Sequence, residues 1–296
     1  MNTVEINPRE TIHLESESLW HKSWLKFKQD RMGISGAVIV LLYFLTALAV
    51  WLGLWGNDWG TTSDAFQQAP SWQHWFGTNA IGQDVAERTI YSTKVAFEVG
   101  LTVTVVATLI GACLGAWAGF YSGRWIDSII LWLLGVLDSI PFYLFVAAVA
   151  YAMQGSIFAM HVAMIAVFWT TTARIIRAEV IKLKQQEFVE AAQSLGVKTP
   201  RIIFKHILPN TSHLLLVQGT ITFVAAIKTE VILSFLGLGV KNGISWGLMI
   251  SEATNDIQAG YFNNFAAASC FLFVLVIGFN LFSDAVQDAL DPKSIQ

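Results

Sequence analysis

Charged residues are scarce in this chain. They make up 13% of its 296 residues, against 54% hydrophobic, where soluble domains carry about 25% charged residues. That deficit excludes a large water-facing surface and points to lipid as the solvent. The net charge of −3 is near balance, so nothing suggests a nucleic-acid partner. Cysteine is almost missing too. Cys113 and Cys270 sit in apolar runs and read as small packing residues rather than a disulfide or metal pair. The histidines at 13, 21, 74, 161, 206 and 213 lack ligand spacing, so no metal site is expected. No G-x-x-x-x-G-K-S/T phosphate loop occurs, so the chain does not bind ATP in that way.

What the chain does have is long apolar runs. A spanning helix needs roughly 20 mostly apolar residues, because hydrocarbon offers no partner to an unpaired backbone group. Six segments qualify, giving an all-α polytopic membrane protein. Gly33–Leu54, Val99–Phe120, Gly155–Ala173 and Phe262–Phe282 carry no charge, Ser128–Met153 contains Asp138, and Thr211–Val240 contains Lys228 and Glu230. The first run is too long for a signal-peptide core of about 7–15 residues. It reads as a retained anchor.

Lysine and arginine set the orientation. With the N-terminus inside, the cytoplasmic parts hold fourteen of them, and the outside parts hold three: Arg88, Lys94 and Lys241. Both ends are therefore expected in the cytoplasm. SLWHKSWLKFKQDR, residues 18–31, mixes aromatic and basic residues just before the first span. It reads either as an interfacial helix on an anionic leaflet or as a generic basic flank.

The loops are unequal. Outside, one loop runs from about Trp55 to Lys94 and another from about Lys241 to Tyr261; both are too short for a catalytic domain. Inside, Arg174–Asn210 is the sizeable loop, and it holds QEFVEAAQSLGVKTPRIIFKHILPN, residues 186–210. Residues 178–195 favour a helix, and Gly196 sits where a C-cap glycine belongs. Thr199 and Pro200 read as N-cap and N1 of a second helix, which Pro209 ends. The expected shape is helix, sharp turn, helix, with Ala191 and Ala192 leaving room for another surface. From the residues alone, a docking module and an ordinary hairpin are equally good readings.

EAAQSLG, then nine residues, then HILP resembles the EAA loop of bacterial ABC-transporter permeases of the type I importer class. Glu190, Ala191, Ala192, Gly196, Leu208 and Pro209 match that motif, and His206 stands where the general pattern has Ile. HILPN resembles the dipeptide/oligopeptide/nickel branch and its "C" permease. FGTNAIGQDV resembles that branch's external GTDxLGRDV phrase, with Asn79 in place of Asp and Gln83 in place of Arg. WLKFKQDRMG, DSIP, ARIIRAE, LSFLGLGV, SWGLM and ALDP follow in the familiar order, from about residue 24 to 292.

The resemblance implies a type I importer permease fold in the bacterial inner membrane. It also implies a second homologous permease, two ATPase subunits that bind ATP and Mg, and an external solute-binding protein. The loop would then be a coupling helix seated in an ATPase cleft. The chain divides into four parts: 1–32, a cytoplasmic segment with the interfacial helix; 33–94, the first span and external loop; 95–285, a five-helix core carrying the 174–210 loop; and 286–296, a cytoplasmic tail. The expected role is a transport subunit without catalytic or cofactor-binding residues of its own.

Charges inside the spans need a reason, since each costs roughly 2.5–3.5 kcal/mol at mid-bilayer. Asp138 lies about 16 Å along a helix from Asp127, and Pro141 is expected to kink that helix. The acid either lines the pathway or pairs with a basic residue of the partner permease. Lys228 and Glu230 lie about 27 and 30 Å along a straight helix from Asn210, near the outer face. Glu230 is a candidate gate residue, set against an interfacial charge with a water partner. Arg174 and Arg177 read as interface anchors. Two other classes stand beside the permease. A secondary transporter without ATPase partners would favour an internal repeat, and none is evident. A membrane-embedded enzyme needs a nucleophile–base or metal constellation, which Asp138 alone does not supply.

Overall fold

A computed structural model describes residues 19–153 and 156–290. Residues 1–18, Gln154, Gly155 and the 291–296 end of the expected tail lie outside the described residues. The described chain is helical. Helix α1, Leu19–Gln29, leads into α2, Arg31–Trp51, where Asp30 caps the new helix by accepting from the Met32 N–H. An irregular loop follows to Asp84. Helix α3 spans Val85–Phe120, α4 Trp125–Asp138, α5 Phe142–Ala152 and α6 Ala159–Leu183. Short helices α7, Glu187–Ser194, and α8, Thr199–Arg201, form the hairpin. Helix α9, Ser212–Phe235, α10, Trp246–Gln258, and α11, Asn263–Leu290, complete the chain.

Among the described residues, five helical stretches are long and apolar enough to cross a bilayer alone. The sixth expected span, Ser128–Met153, is instead two helices, α4 and α5, meeting at 92°. Pro141 is the cause. It lacks an N–H and its ring clashes with the preceding turn, so the chain leaves the helix at Ser139. The result is a break where a kink was expected, and six spans result only if this bent pair counts as one. Helix α3 also begins fourteen residues earlier than its expected span, passing without interruption through the proposed 94/95 boundary. At 36 residues it is about 54 Å long against a hydrocarbon core of about 30 Å, so several turns project beyond it.

Two glycine-mediated contacts organise the bundle. Gly111, Gly115 and Gly119 recur every four residues on α3 and press against α6. A Cβ at Gly111 would sit 2.6 Å from the Trp169 carbonyl, one at Gly119 would sit 2.7 Å from that of Arg177, and one at Gly115 would collide with the Ala173 carbonyl. Small residues at this spacing let helix backbones meet where lipid supplies no hydrophobic drive. Gly36 does the same on α2, its added Cβ falling 2.6 Å from the Gly278 carbonyl of α11. Phe97, Phe223 and Phe279 then join α3, α9 and α11, with Phe223 and Phe279 stacked at 4.1 Å. Helix α1 packs on the end of α11, through Phe27 against Phe282 and the Lys26 ammonium donating to the Asp288 carbonyl at 2.6 Å.

Candidate functional site

The hairpin is built from the inside out. Helix α6 stops at Leu183, and the Lys184 ammonium donates to the Phe120 carbonyl at 2.8 Å while lying over its ring. The chain turns at Lys184–Gln186, so the helix expected over residues 178–195 is two helices. In α7, Val189 and Ala192 face inward, joining Ile202, Ile203 and Ile207 in a core with Phe120, Ile176 and Val180. Glu190 and Ala191 face outward. Of the two alanines expected to make room for another surface, only Ala191 is exposed; Ala192 is packed.

Gly196 has φ +73°. Its N–H donates to the Gln193 carbonyl at 2.9 Å, and Val197 N–H to that of Ala192 at 3.1 Å. This is a Schellman close, which needs a residue without a Cβ penalty. Leu195, beside it, is 83% exposed, and Phe188 and Phe204 also show apolar surface. The second helix departs from expectation. Lys198, without a side-chain cap bond, stands at the N-cap, so Pro200 is the second residue and not the first. Nor does Pro209 end the helix. Residues Ile202–Ile207 widen into a π-helix, and Leu208–Thr211 tighten into a 3₁₀ turn. The wide turn before the proline accommodates its missing N–H and its ring. The backbone therefore stays helical from Thr199 to Phe235.

The charged groups of the spans find partners mostly inside this chain. Asp138 pairs with Arg174, a residue of the same chain, where a pathway position or a pairing with a second permease was expected. Arg177 is more than an interface anchor: its guanidinium forks onto Asp127 at 2.7 and 2.8 Å. Gly123 N–H donates to the same carboxylate at 2.9 Å, joining the α3–α4 turn to α6. Glu230 is 1% exposed, not at an open outer face. It accepts from the Ser234 hydroxyl at 2.5 Å, and Ser245 faces the same carboxylate, so the 236–245 turn is tied to α9. Lys228, two residues earlier, is exposed and lines a cavity.

Several site-forming residues escaped sequence reasoning. Arg88, buried on α3, pairs with Glu252 of α10. Burial pushes the Glu252 carboxyl above its ordinary range, Arg88 pulls it back, and Asp256 raises it again. Trp246 Nε1 donates to the Thr89 carbonyl at 3.1 Å, so α10 is fastened to the projecting end of α3. Asp84 caps α3, accepting from Ala86 and Glu87 N–H at 2.7 and 3.1 Å, and its other oxygen meets His74 Nδ1 at 2.7 Å. The Gly111–Gly115–Gly119 spacing was the available sequence signal for the α3–α6 contact. The Arg88 pairing left none.

A bundle of apolar helices with packing glycines, internally paired charges and an exposed apolar-tipped hairpin defines a helical protein of the membrane. The model of the family "binding-protein-dependent transport system inner membrane component" matches residues 111–296. The chain is also 36% identical over 287 residues to the oligopeptide transport system permease protein OppC of Bacillus subtilis, across 96% of this chain and 93% of that protein. It is 33% identical over 297 residues to the dipeptide transport system permease protein DppC of the same organism, across 99% and 92%. To the glutathione transport system permease protein GsiD of Escherichia coli it is 35% identical over 278 residues, across 93% and 90%. The chain belongs to the binding-protein-dependent transport system inner membrane components, the permeases of ABC importers. It is a multi-span membrane component of such a system and not itself an enzyme.

Proposed function

We propose that this chain forms half of the path by which an ATP-driven importer carries peptides across the bacterial inner membrane. A second homologous permease forms the other half. Two ATPase subunits dock on the 186–210 hairpin, and an external binding protein delivers the solute. Both chain ends face the cytoplasm, in keeping with the lysine and arginine bias.

One observation carries the reading. The hairpin is anchored by a buried face, Val189, Ala192, Ile202, Ile203 and Ile207, and presents Phe188, Glu190, Ala191 and Leu195 outward. A rigid element with an exposed apolar tip suits transmission of motion. In this reading Glu190, Ala191 and Gly196 meet the ATPase, while Ala192, Leu208 and Pro209 fix the hairpin to α9. ATP binding draws the two docked loops together and favours one orientation of the cavity; hydrolysis resets it. The loop must bind the ATPases differently in the two states, since equal affinity shifts nothing. Asp138 and Pro141 form the broken-span corner beside the path. Glu230 serves the gate through the turn it holds rather than by touching solute.

The test is dipeptide uptake by the complete complex in proteoliposomes. ATP-dependent, vanadate-sensitive uptake is expected, with Gly196→Asp retaining ATP hydrolysis and losing transport. Proton-driven flux without ATPase subunits, as a secondary transporter would show, refutes the reading. Wild-type transport by Gly196→Asp refutes the coupling assignment.

A further inference from the structure

Lys228 and Asp284 lie in different spans and have no polar partner among the described residues. Both line one cavity of about 340 Å³, bounded by α5, α6, α9 and α11. The lining is patterned. On α9, Ile221, Ala225 and Lys228 share a face by their four- and three-residue spacing, and on α11 Asn280, Asp284 and Gln287 do the same. A stripe of amide and carboxylate groups on an otherwise apolar helix is costly against lipid. Charged groups in spans therefore face protein or water-filled space.

The two charges sit at opposite ends of this space. Helices α9 and α11 run antiparallel, as the Phe223–Phe279 stack and the 2.6 Å Thr220–Ser283 hydroxyl pair require. Lys228 is five residues beyond Phe223, and Asp284 five beyond Phe279 in the opposite direction. Their backbones are thus offset by about 15 Å along the bundle. That is the length of an extended chain of about four or five residues, and the lysine side chain shortens the gap. A cavity of this volume is at the small end of ligand sites, which start near 300 Å³.

We propose that this cavity is a transit subsite for a zwitterionic solute, in which Lys228 meets a carboxylate and Asp284 an ammonium group. Phe142, Tyr143 and Phe168 supply an apolar wall between them. The free termini of a short peptide are the matching chemistry, and to that extent the inference rests on the peptide-importer reading. A single cation and a single anion far apart hold each end weakly, which suits a site that must release what it takes up.

The test uses the complete complex carrying Ala225→Cys, a lining position that leaves both charges in place, in a Cys113→Ala, Cys270→Ala background. A charged, membrane-impermeant thiosulfonate should modify this position during ATP turnover. Binding protein loaded with dipeptide should slow the reaction about tenfold when the subsite is presented with about ten times its Kd. A cysteine that does not react, or that reacts at the same rate with and without dipeptide, overturns the proposal. A second measurement separates transit from folding: Lys228→Met and Asp284→Asn should each lower uptake while leaving binding-protein-stimulated ATP hydrolysis intact. Wild-type uptake by either variant overturns it too. Failure of the wild-type complex to import dipeptide would instead refute the peptide reading itself, whatever the cysteine shows.

Discussion

Asn79 and Gln83 hold each other across the turn that precedes α3, twice through a side chain and once by the Asn79 N–H donating to the Gln83 carbonyl at 3.0 Å. The Asn79 amide donates to the Gln83 side-chain oxygen at 2.9 Å, and the Gln83 N–H donates to the Asn79 side-chain oxygen at 2.9 Å. Both residues are buried. These are the two positions where the resembling phrase has Asp and Arg. A neutral amide pair stands here where the resembling phrase has an acid and a base.

The pair should therefore exchange only as a unit. Asn79→Ala leaves buried polar groups of Gln83 without a partner, a loss of about 1–3 kcal/mol. Gln83→Arg alone places a cation beside a neutral amide. Asn79→Asp with Gln83→Arg should recover most of the stability lost in the singles. A double-mutant cycle on the melting temperature of the purified chain measures this, and additive effects would show that the two side chains are independent.

The Arg177–Asp127 fork sets up a comparison between two substitutions. Arg177→Met removes the cation and leaves a buried carboxylate, at a cost of about 3–5 kcal/mol. Arg177→Lys keeps the charge but cannot reproduce the planar fork, so a smaller loss is expected. Thermal unfolding in detergent should rank wild type above Lys and Lys above Met. Equal stability of Lys and Met would mean that charge contributes nothing here.

Glycine substitutions should split by what they face. Gly115→Ala brings a methyl group into the α6 backbone at Ala173 and should lower both stability and yield. Gly135→Ala, on α4, meets open space. It should be neutral or stabilising, because alanine exceeds glycine in helix propensity by up to about 1 kcal/mol. Limited proteolysis of the two variants side by side gives the answer, and equal resistance would remove α3–α6 close approach as the explanation.

A Cβ added at Gly196 would meet nothing within 4 Å, so within this chain its requirement is conformational. Gly196→Asn tolerates positive φ and adds no charge to the surface proposed to meet the ATPase, so it should retain more transport than Gly196→Asp. Gly196→Val should lose it, since a left-handed conformation costs about 1–2 kcal/mol for ordinary residues and more for β-branched ones. Because the position lies outside the core, the melting temperature should change less than uptake does. A variant that unfolds without uncoupling would place the glycine in folding alone.

Local patterns in the sequence foretold much of this. Apolar runs announced the spans, since twenty such residues have few other solvents. EAAQSLG announced the hairpin's turn, because glycine at a helix end reports a positive φ without reference to the rest of the molecule. Predictions that depended on how a helix continues fared less well. Pro141 was expected to kink a span and instead divides it. Pro209 was expected to end a helix and is instead carried through by a π turn. The same residue has two outcomes: the π turn Ile202–Ile207 makes room for Pro209, whereas no such turn precedes Pro141 and the helix ends at Asp138.

Pairings were the least legible. Asp138 and Arg174 are 36 residues apart, Arg88 and Glu252 are 164 apart, and nothing in either neighbourhood names the other. Glu230 and Lys228 show the same limit within one helix: two residues apart, one is enclosed with Ser234 and the other opens onto a cavity.

The sequence by itself determined that this is a helical membrane component, which of its stretches are apolar enough to cross lipid, and where the hairpin turns at Gly196. Those properties follow from transfer free energy and from backbone conformation, both local quantities. Only the tertiary structure decided which charges neutralise each other, which glycines admit a neighbouring helix, and that Lys228 and Asp284 share one space. These depend on how antiparallel helices are set against each other in register, a relation between distant segments that no local pattern encodes.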